Sequence, residues 1–209
     1  MAAPSDRGLF ITLEGGEGSG KSTQAKALAG RLQERGYDVC LTHEPGGTEL
    51  GRAVQRLLEG DGAPAPLAEL LLFVADRAQH VREVIAPALA AGKVVVCDRF
   101  ADSTLAYQGY GRGLDFGLIR GLNDEATRGL KPHVTLLLDV SPKVGLAREG
   151  AQLDVTGRES IEFHERVREG FLVLAKEEPE RFVVIDAMLE PEGITERVMA
   201  AIGQRLLRG

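Results

Sequence analysis

The sequence predicts an α/β fold in which helices cover both faces of a parallel sheet, and three observations lead to this prediction. Short runs of strand length recur along the chain, and each run is almost wholly apolar. Segments with apolar residues at helical spacing lie between these runs. Strands that are apolar throughout are buried on both sides, and their alternation with helices is typical of parallel sheets.

Five runs are the predicted strands: 9–13 (LFITL), 37–42 (YDVCLT), 93–98 (KVVVCD), 134–139 (VTLLLD) and 181–186 (RFVVID). Helical spacing is clearest in two sets of apolar residues: Ala25, Leu28, Ala29, Leu32 and Ile194, Val198, Ala201, Ile202. A further helix is expected at 67–81, after the Gly- and Pro-rich loop 60–66. We expect a single domain over 1–209, with the polar, glycine-containing segment 149–160 as a short lid.

Polar residues follow every predicted strand. They are Glu14 after the first strand, HEPGGT after the second, DRF after the third, DVSP after the fourth and DA after the fifth. Ligands of parallel sheets gather at the carboxyl ends of the strands, so most of these residues are expected to line one cleft. The alternative is ordinary turn chemistry, since strands commonly end in polar residues.

Composition limits the classes of partner. The chain of 209 residues has 31 acidic and 25 basic side chains and a net charge of −6, which argues against a broad nucleic-acid or anionic-membrane surface. Cys40 and Cys97 form no CxxC pattern and are expected to be free thiols in a reducing compartment. The first residues have no apolar core for a signal peptide, and no apolar run approaches ~18 residues. We therefore expect a soluble cytoplasmic protein.

A phosphate-binding loop is the strongest motif. Residues 15–22 fit the pattern G-x-x-x-x-G-K-S/T between a predicted strand and a predicted helix, as this motif requires. Glycines let successive N–H groups point inward, and the helix adds its positive end. Lys21 is expected to reach the β- and γ-phosphates, and the Ser22 hydroxyl to ligate Mg²⁺. The expected nucleotide-binding residues are Gly15, Gly16, Glu17, Gly18, Ser19, Gly20, Lys21, Ser22 and Thr23.

Two further features near this loop point to a second substrate. A carboxylate at Glu17 repels the phosphate that the loop surrounds, so it either points into solvent or accepts a hydrogen bond from a hydroxyl of the second substrate. After the third strand, Asp98 can orient the waters of a metal ion and Arg99 can bind an anion. The alternative for these two is an Asp–Arg turn pair of the kind common on surfaces.

Several segments resemble the thymidylate kinases of the bacterial type. They are 13–23 (LEGGEGSGKST), 44–48 (EPGGT), 70–81 (LLLFVADRAQHV), 98–100 (DRF), 103–109 (STLAYQG) with 111–113 (GRG), and 136–148 (LLLDVSPKVGLAR). These segments occur in family order and cover nearly the whole chain. A P-loop alone indicates only an NTPase, whereas EPGGT, DR and STLAYQG together are specific to this kinase family.

The resemblance implies a P-loop nucleoside-monophosphate kinase fold, usually as a homodimer. It also implies transfer of the γ-phosphoryl group of ATP to dTMP with Mg²⁺. Seven residues match positions that would bind dTMP. Glu17 would place a carboxylate near the 3′-hydroxyl, Phe73 would stack on thymine and Arg77 would hydrogen-bond to the base. Arg99 would hold the phosphate. Thr104 and Gln108 would face the nucleoside, and Tyr107 would crowd the 2′ position.

The residues themselves support part of this assignment. Phe73 and Arg77 are four positions apart on a predicted helix, so one ring and one guanidinium share a face and can approach a single flat base. From the residues alone, however, a phenylalanine within the run LLLFVA is more typical of a core. The stacking role of Phe73 therefore depends on the resemblance.

The chain departs from the family pattern in the lid. Phosphoryl transfer needs positive charge on the migrating group, and the P-loop has no arginine between Gly15 and Lys21. The bacterial branch of the family supplies arginines from the lid, where this chain offers only Arg148 and Arg158. We assign Arg158 the catalytic role and Arg148 a place near ATP; a solvated lid arginine is the alternative for each. His43 and Gln55 also stand where the family commonly has arginine.

Two rival functions share parts of this pattern. A kinase for another monophosphate, such as dUMP or a purine nucleotide, would use the same phosphate machinery. A non-catalytic P-loop module that only holds ATP would have no evident use for DRF and STLAYQG. Activity against a panel of monophosphates separates these three possibilities.

Overall fold

The five predicted strands form one parallel sheet. The structure, a computed structural model, describes residues 8–60, 64–150 and 159–206. Its strands are β1 (Leu9–Glu14), β2 (Val39–His43), β3 (Val94–Asp98), β4 (Val134–Asp139) and β5 (Phe182–Asp186). They are hydrogen-bonded in the order β2-β3-β1-β4-β5, and every pair is parallel. The strand that precedes the phosphate loop is therefore the central one.

Helices fill the segments between the strands. Within the described residues they are α1 (Lys21–Glu34), α2 (Glu49–Glu59), α3 (Pro66–His80), α4 (Ala86–Ala90), α5 (Ala101–Thr104), α6 (Phe116–Thr127), α7 (Pro142–Arg148), α8 (Ile161–Glu177) and α9 (Pro191–Leu206). Two π-helical segments, Val81–Ile85 and Leu105–Gly111, continue α3 into α4 and extend α5. None of the described helices has the length and apolar character needed to cross a bilayer.

The core lies on both faces of the sheet, as the apolar strands predict. Successive residues of β1 point to opposite faces, with Ile11 and Leu13 in one cluster and Phe10 in another. Helices α1 and α9 cover the first face, and α3, α6, α8 and the π-helical segments cover the second. The predicted α/β fold is confirmed.

The predicted lid is described only at its edges. Helix α7 ends at Arg148, and α8 begins at Ile161 after Ser160, whose side chain accepts a hydrogen bond from the backbone of Phe163. Residues 151–158, and with them the catalytic assignment to Arg158, lie outside the described residues.

Candidate active site

The phosphate loop connects β1 to α1 and has the backbone of an anion cradle. Gly15, Gly18 and Gly20 have φ angles of 145°, 62° and 89°, which L side chains disfavour. Space also excludes a side chain at Gly18, because an added Cβ would lie 1.9 Å from the carbonyl oxygen of Gly145. The Gly18 amide donates to Oε1 of Glu149 at 2.9 Å. Helix α1 begins with no side-chain cap and no acidic residue in its first turn, so its positive end is available to an anion.

Lys21 lies inside this loop and is almost fully buried. Its Nζ donates to the carbonyl oxygen of Gly16 at 2.6 Å and to Oγ of Ser19 at 3.2 Å. Burial, with the positive charge of Arg99 as the second cause, lowers the pKa of Lys21 to about 8. Phosphate oxygens beside the ammonium would favour its charged form and raise this pKa.

Ser22 and Asp98 meet where α1 begins and β3 ends. The Ser22 Oγ donates to Oδ2 of Asp98 at 2.5 Å. The other oxygen of Asp98, Oδ1, is buried and has no hydrogen-bond partner within the described residues. No group of three or more His, Cys, Asp or Glu side chains suited to a metal occurs in the described part of the chain. A hydroxyl with one free carboxylate oxygen nevertheless fits Mg²⁺, which keeps several waters and takes few protein ligands.

Arg99 and Glu17 form an ion pair next to the loop. Nη2 of Arg99 lies 2.9 Å from Oε2 of Glu17, and the Tyr107 hydroxyl donates to Oε1 of Glu17 at 2.8 Å. Burial alone would raise the pKa of Glu17, but the charges of Arg99 and Lys21 and the Tyr107 hydrogen bond hold it below its usual value. The Arg99 guanidinium also lies 5.1 Å from the centre of the Tyr107 ring. Glu17 thus faces side chains from the opposite wall of the cleft.

A cavity of about 600 Å³ joins these groups. Its lining includes the phosphate loop from Glu17 onward, Asp98, Arg99, Arg148 and the turn 188–191 after β5. Nη1 of Arg148 donates to the carbonyl oxygen of Ala187 at 2.9 Å, which places this arginine against that turn. The sequence indicated only that polar residues end β5, so the apolar contribution of Met188 and Leu189 to the cavity was not predicted.

Arg77 is almost fully enclosed, as is Thr104, another residue predicted to bind the acceptor. It is 1% exposed, and its guanidinium donates to Glu44, Thr104, Asn123 and the carbonyl oxygen of Phe100 at 2.7–2.9 Å. Its hydrogen bonds in this structure are therefore to protein groups. A bond from Arg77 to the base stays a prediction.

The other predicted acceptor residues lie on α3, α5 and the π-helical segment 105–111. Phe73 is half-buried and belongs to none of the core clusters of the described residues, so its ring is not a core group. Thr104 is buried beside Arg77, and Gln108 donates to Glu69 at 2.7 Å. Tyr107 and Arg99 meet at Glu17.

Several polar residues that hold these groups were missed. Glu69 and Asn123 contact site residues far from them in sequence, and no motif identified them. Glu14 was expected among the polar residues that follow the strands, but its hydrogen bonds to the turn after β3 were not predicted. Glu44 belongs to the quoted EPGGT segment, but its pairing with Arg77 and with His80 Nδ1 at 2.9 Å could not be inferred. Pairings across 30 or more positions leave no local pattern.

The loop and the Arg99 guanidinium lie side by side in the cleft. A parallel sheet with a phosphate loop after its central strand, and an arginine beside that loop at the end of the neighbouring strand, is the arrangement of the P-loop nucleoside-monophosphate kinases. The particular family follows from comparison with known proteins. Residues 13–198 match the family model described as Thymidylate kinase, and the chain belongs to the thymidylate kinase family.

Individual relatives support this membership. A protein named thymidylate kinase from a Synechococcus species is 57% identical over 198 residues, covering 95% of this chain and 96% of the relative. One from Desulfovibrio desulfuricans is 54% identical over 211 residues, covering 96% and 97%. The crystal structure of thymidylate kinase from Ehrlichia chaffeensis has a TM-score of 0.81 and 39% identity, and the match covers 94% of this chain and 99% of that one. The resemblance drawn from the motifs is confirmed.

Proposed function

We propose that this chain transfers the γ-phosphoryl group of ATP to dTMP, giving ADP and dTDP for dTTP synthesis. The observation that carries the proposal is that Lys21, at the start of α1, and Arg99, after β3, line one cavity. The phosphates of ATP occupy the loop, and the phosphate of dTMP lies against Arg99. An oxygen of that phosphate attacks the γ-phosphorus in line and displaces ADP. No side chain has to act as nucleophile, because the acceptor is already an anion near neutral pH.

Catalysis in this scheme is positioning and charge neutralisation. The loop amides and Lys21 hold the donor, Arg99 holds the acceptor, and Arg148 contributes positive charge at the ATP end of the cavity. Arg158 is proposed as the lid arginine that neutralises the migrating group. Glu17 accepts a hydrogen bond from the 3′-hydroxyl of the deoxyribose. Its contact with the Tyr107 hydroxyl supports this role, because it turns the carboxylate toward the residues proposed to bind dTMP.

The remaining residues predicted to bind dTMP select the base and the sugar. We assign stacking on thymine to Phe73, hydrogen bonds to the nucleoside to Arg77, Thr104 and Gln108, and exclusion of a 2′-hydroxyl to Tyr107. The half-buried ring of Phe73, which lies outside the core clusters of the described residues, supports the stacking role.

Mg²⁺ is proposed to be held through Ser22 and Asp98. The free oxygen of Asp98 supports this, since a buried carboxylate oxygen with no protein partner in the described part of the chain is costly unless something binds it. When bound, the ion would neutralise charge on the β- and γ-phosphates. Ser22 and Asp98 would hold the ion at the start of α1.

A coupled assay with purified protein tests the function. ATP consumption is measured with dTMP, dUMP, dCMP, dGMP and dAMP, and we expect dTMP to give the highest kcat/KM. Lys21→Ala should reduce kcat by about 100-fold or more, whereas Lys26→Ala, on the exposed side of the same helix, should match the parent. Highest turnover with another monophosphate would establish the first rival. ATP turnover that is slow and unaffected by dTMP would establish the non-catalytic module.

We also propose that the protein is a homodimer in the cytoplasm. Large apolar side chains are exposed on three neighbouring helices, α2, α3 and α6: Leu50, Leu57, Leu67, Leu71, Phe116 and Leu118. An apolar patch of this kind is typical of a protein interface, and a second copy of the chain is the occupant that the family resemblance implies. Sedimentation of the parent and of Leu57→Glu with Leu71→Glu tests it, with a shift from dimer to monomer expected. The free thiols of Cys40 and Cys97 are compatible with a reducing compartment.

A further inference from the structure

Glu14, the last residue of the central strand, has a fully buried carboxylate that faces the turn after β3. Its Oε1 accepts hydrogen bonds from the backbone N–H of Phe100 at 2.8 Å and of Ser103 at 3.3 Å. Its Oε2 accepts from Oγ of Ser103 at 2.5 Å. Glu14 is not among the described residues that line the 600 Å³ cavity. Glu14 is also 0% exposed, so its carboxylate acts on the turn.

The turn that Glu14 holds contains a strained residue. Arg99 has a φ angle of 68°, and it is one of only two non-glycine residues with positive φ in the described chain. A residue with a Cβ avoids this region unless its surroundings impose it. The peptides on both sides of Arg99 are fixed: the Arg99 N–H donates to the carbonyl oxygen of Leu13 at 2.9 Å, and the Phe100 N–H donates to Glu14.

This backbone conformation determines where the guanidinium goes. Arg99 leaves the turn toward the phosphate loop, where Nη2 pairs with Glu17 at 2.9 Å and Nη1 lies 3.4 Å from the carbonyl oxygen of Gly15. In the ordinary right-handed region, the Cβ of Arg99 would leave the backbone in another direction. The position of the Arg99 guanidinium, the group proposed to bind the acceptor phosphate, thus depends on the conformation of this turn.

A carboxylate is an expensive group at this position. Burial, followed by the charge of Asp102, raises the pKa of Glu14 to about 8, while the Ser103 hydrogen bond and the charge of Arg99 act to lower it. An apolar side chain would fill the end of a central strand without this cost. It could not accept hydrogen bonds from two backbone amides and a hydroxyl.

We propose that Glu14 is a positioning residue for phosphoryl transfer: it holds the left-handed turn at Arg99 and thereby aims the guanidinium at the acceptor phosphate. The inference rests on the proposed function of Arg99. Glu14 acts through the backbone of Phe100 and through Ser103, with no contact to either substrate.

Steady-state kinetics with both substrates varied tests the proposal. Glu14→Leu removes every acceptor, and we expect the KM for dTMP to rise about tenfold or more with the KM for ATP within about threefold of the parent. Glu14→Gln keeps an oxygen for the Phe100 amide and should stay within about threefold for both substrates. Asp115→Ala removes another carboxylate that accepts a backbone N–H, at the start of α6, and serves as the matched control with unchanged KM values.

A double-mutant cycle shows whether Glu14 acts through Arg99. If it does, Glu14→Leu should have little further effect in an Arg99→Ala background, since the side chain being positioned is absent. Equal losses in the two backgrounds would overturn the proposal while leaving the proposed function of Arg99 intact.

A measurement that does not depend on activity tests whether Glu14 fixes the turn. Hydrogen–deuterium exchange of the peptide containing residues 98–103 should be faster in Glu14→Leu than in the parent and in Glu14→Gln. Unchanged exchange would overturn the positioning of this turn by Glu14. If the exchange changes but the parent does not phosphorylate dTMP, the proposed function fails, and Glu14 still fixes the turn. Circular dichroism of each variant separates these effects from global unfolding.

Discussion

Replacing Glu44 by Gln should cost far more stability than the same change in a surface ion pair. Glu44 and Arg77 are 2.9 Å apart, and each side chain is 2% exposed, so Gln at this position leaves the Arg77 charge buried with only neutral acceptors. Breaking a buried pair in this way costs about 3–5 kcal/mol. With a urea m-value of about 2 kcal/mol per M, the unfolding midpoint should fall by about 2 M.

The matched control is the pair Arg31 and Glu192. It has the same chemical groups at 2.7 Å, but the side chains are 50% and 67% exposed. Glu192→Gln should cost about 0–1 kcal/mol, because water screens the pair. Urea unfolding followed by circular dichroism measures both changes at pH 7.5. Equal midpoint shifts for Glu44→Gln and Glu192→Gln would refute the reasoning.

A second variant keeps this test decisive if Glu44→Gln is too unstable to purify. Glu44→Leu combined with Arg77→Met removes both charges of the pair together, so neither is left without the other. We expect this double variant to be more stable than Glu44→Leu alone, since apolar replacements of buried pairs are often neutral. A double variant less stable than the single one would show that the charge of Arg77 was not the source of the loss.

Three further changes have defined outcomes. Gly18→Ala should lower kcat/KM for ATP by about tenfold or more, because its Cβ would meet Gly145. The control Gly36→Ala, at φ 87° with open space around it, should lose stability but keep its activity. Equal activities of the two variants would contradict the steric reason. Asp98→Asn should raise the Mg²⁺ concentration for half-maximal activity by about tenfold, measured by Mg²⁺ titration, and an unchanged value would remove Asp98 from the metal site. Burial and the neighbouring charge of Glu44 raise the pKa of Asp76 to about 6, so its contribution to the free energy of unfolding is present below pH 4 and lost as the pH rises through 6. Relative to Asp76→Asn, the parent should therefore become less stable between pH 4 and pH 7, and parallel curves in urea unfolding would contradict this.

The sheet could be predicted from the sequence because each strand is a buried apolar run. The start of β2 was predicted wrongly at Tyr37, two residues before the observed start. In the structure the Tyr37 amide instead donates to the carbonyl oxygen of Leu32 and closes the end of α1, so the strand begins at Val39. Boundaries of this kind depend on hydrogen bonds that composition does not reveal.

The long helical region after residue 66 was only partly predicted. Pro87 would ordinarily end a helix, because it lacks an N–H and its ring crowds the preceding turn. Here the π-helical segment Val81–Ile85 precedes it, and α4 begins at Ala86 with Pro87 in its first turn. A widened turn is a tertiary adjustment without a reliable sequence signal.

Some residues of the candidate site could be predicted from the sequence, and others could not. The loop residues and Asp98 with Arg99 were identifiable because their chemistry is local to a motif or to a strand end. The partners of Arg77 were not, since a guanidinium in a helical pattern can face a ligand or an internal carboxylate equally well. The single domain over 1–209 and the roles of individual site residues stay predictions.

The hydrogen bond between the Gly18 amide and Glu149 changes what the binding of ATP involves. The cradle already holds a negatively charged oxygen, 2.9 Å from one of its amides. A phosphate that takes this amide has to release the carboxylate, so nucleotide entry is an exchange between two anions. The affinity for ATP then reflects how much better a phosphate oxygen accepts the Gly18 hydrogen bond than the Glu149 carboxylate does. Glu149 directly follows α7, so this exchange takes place at the end of that helix.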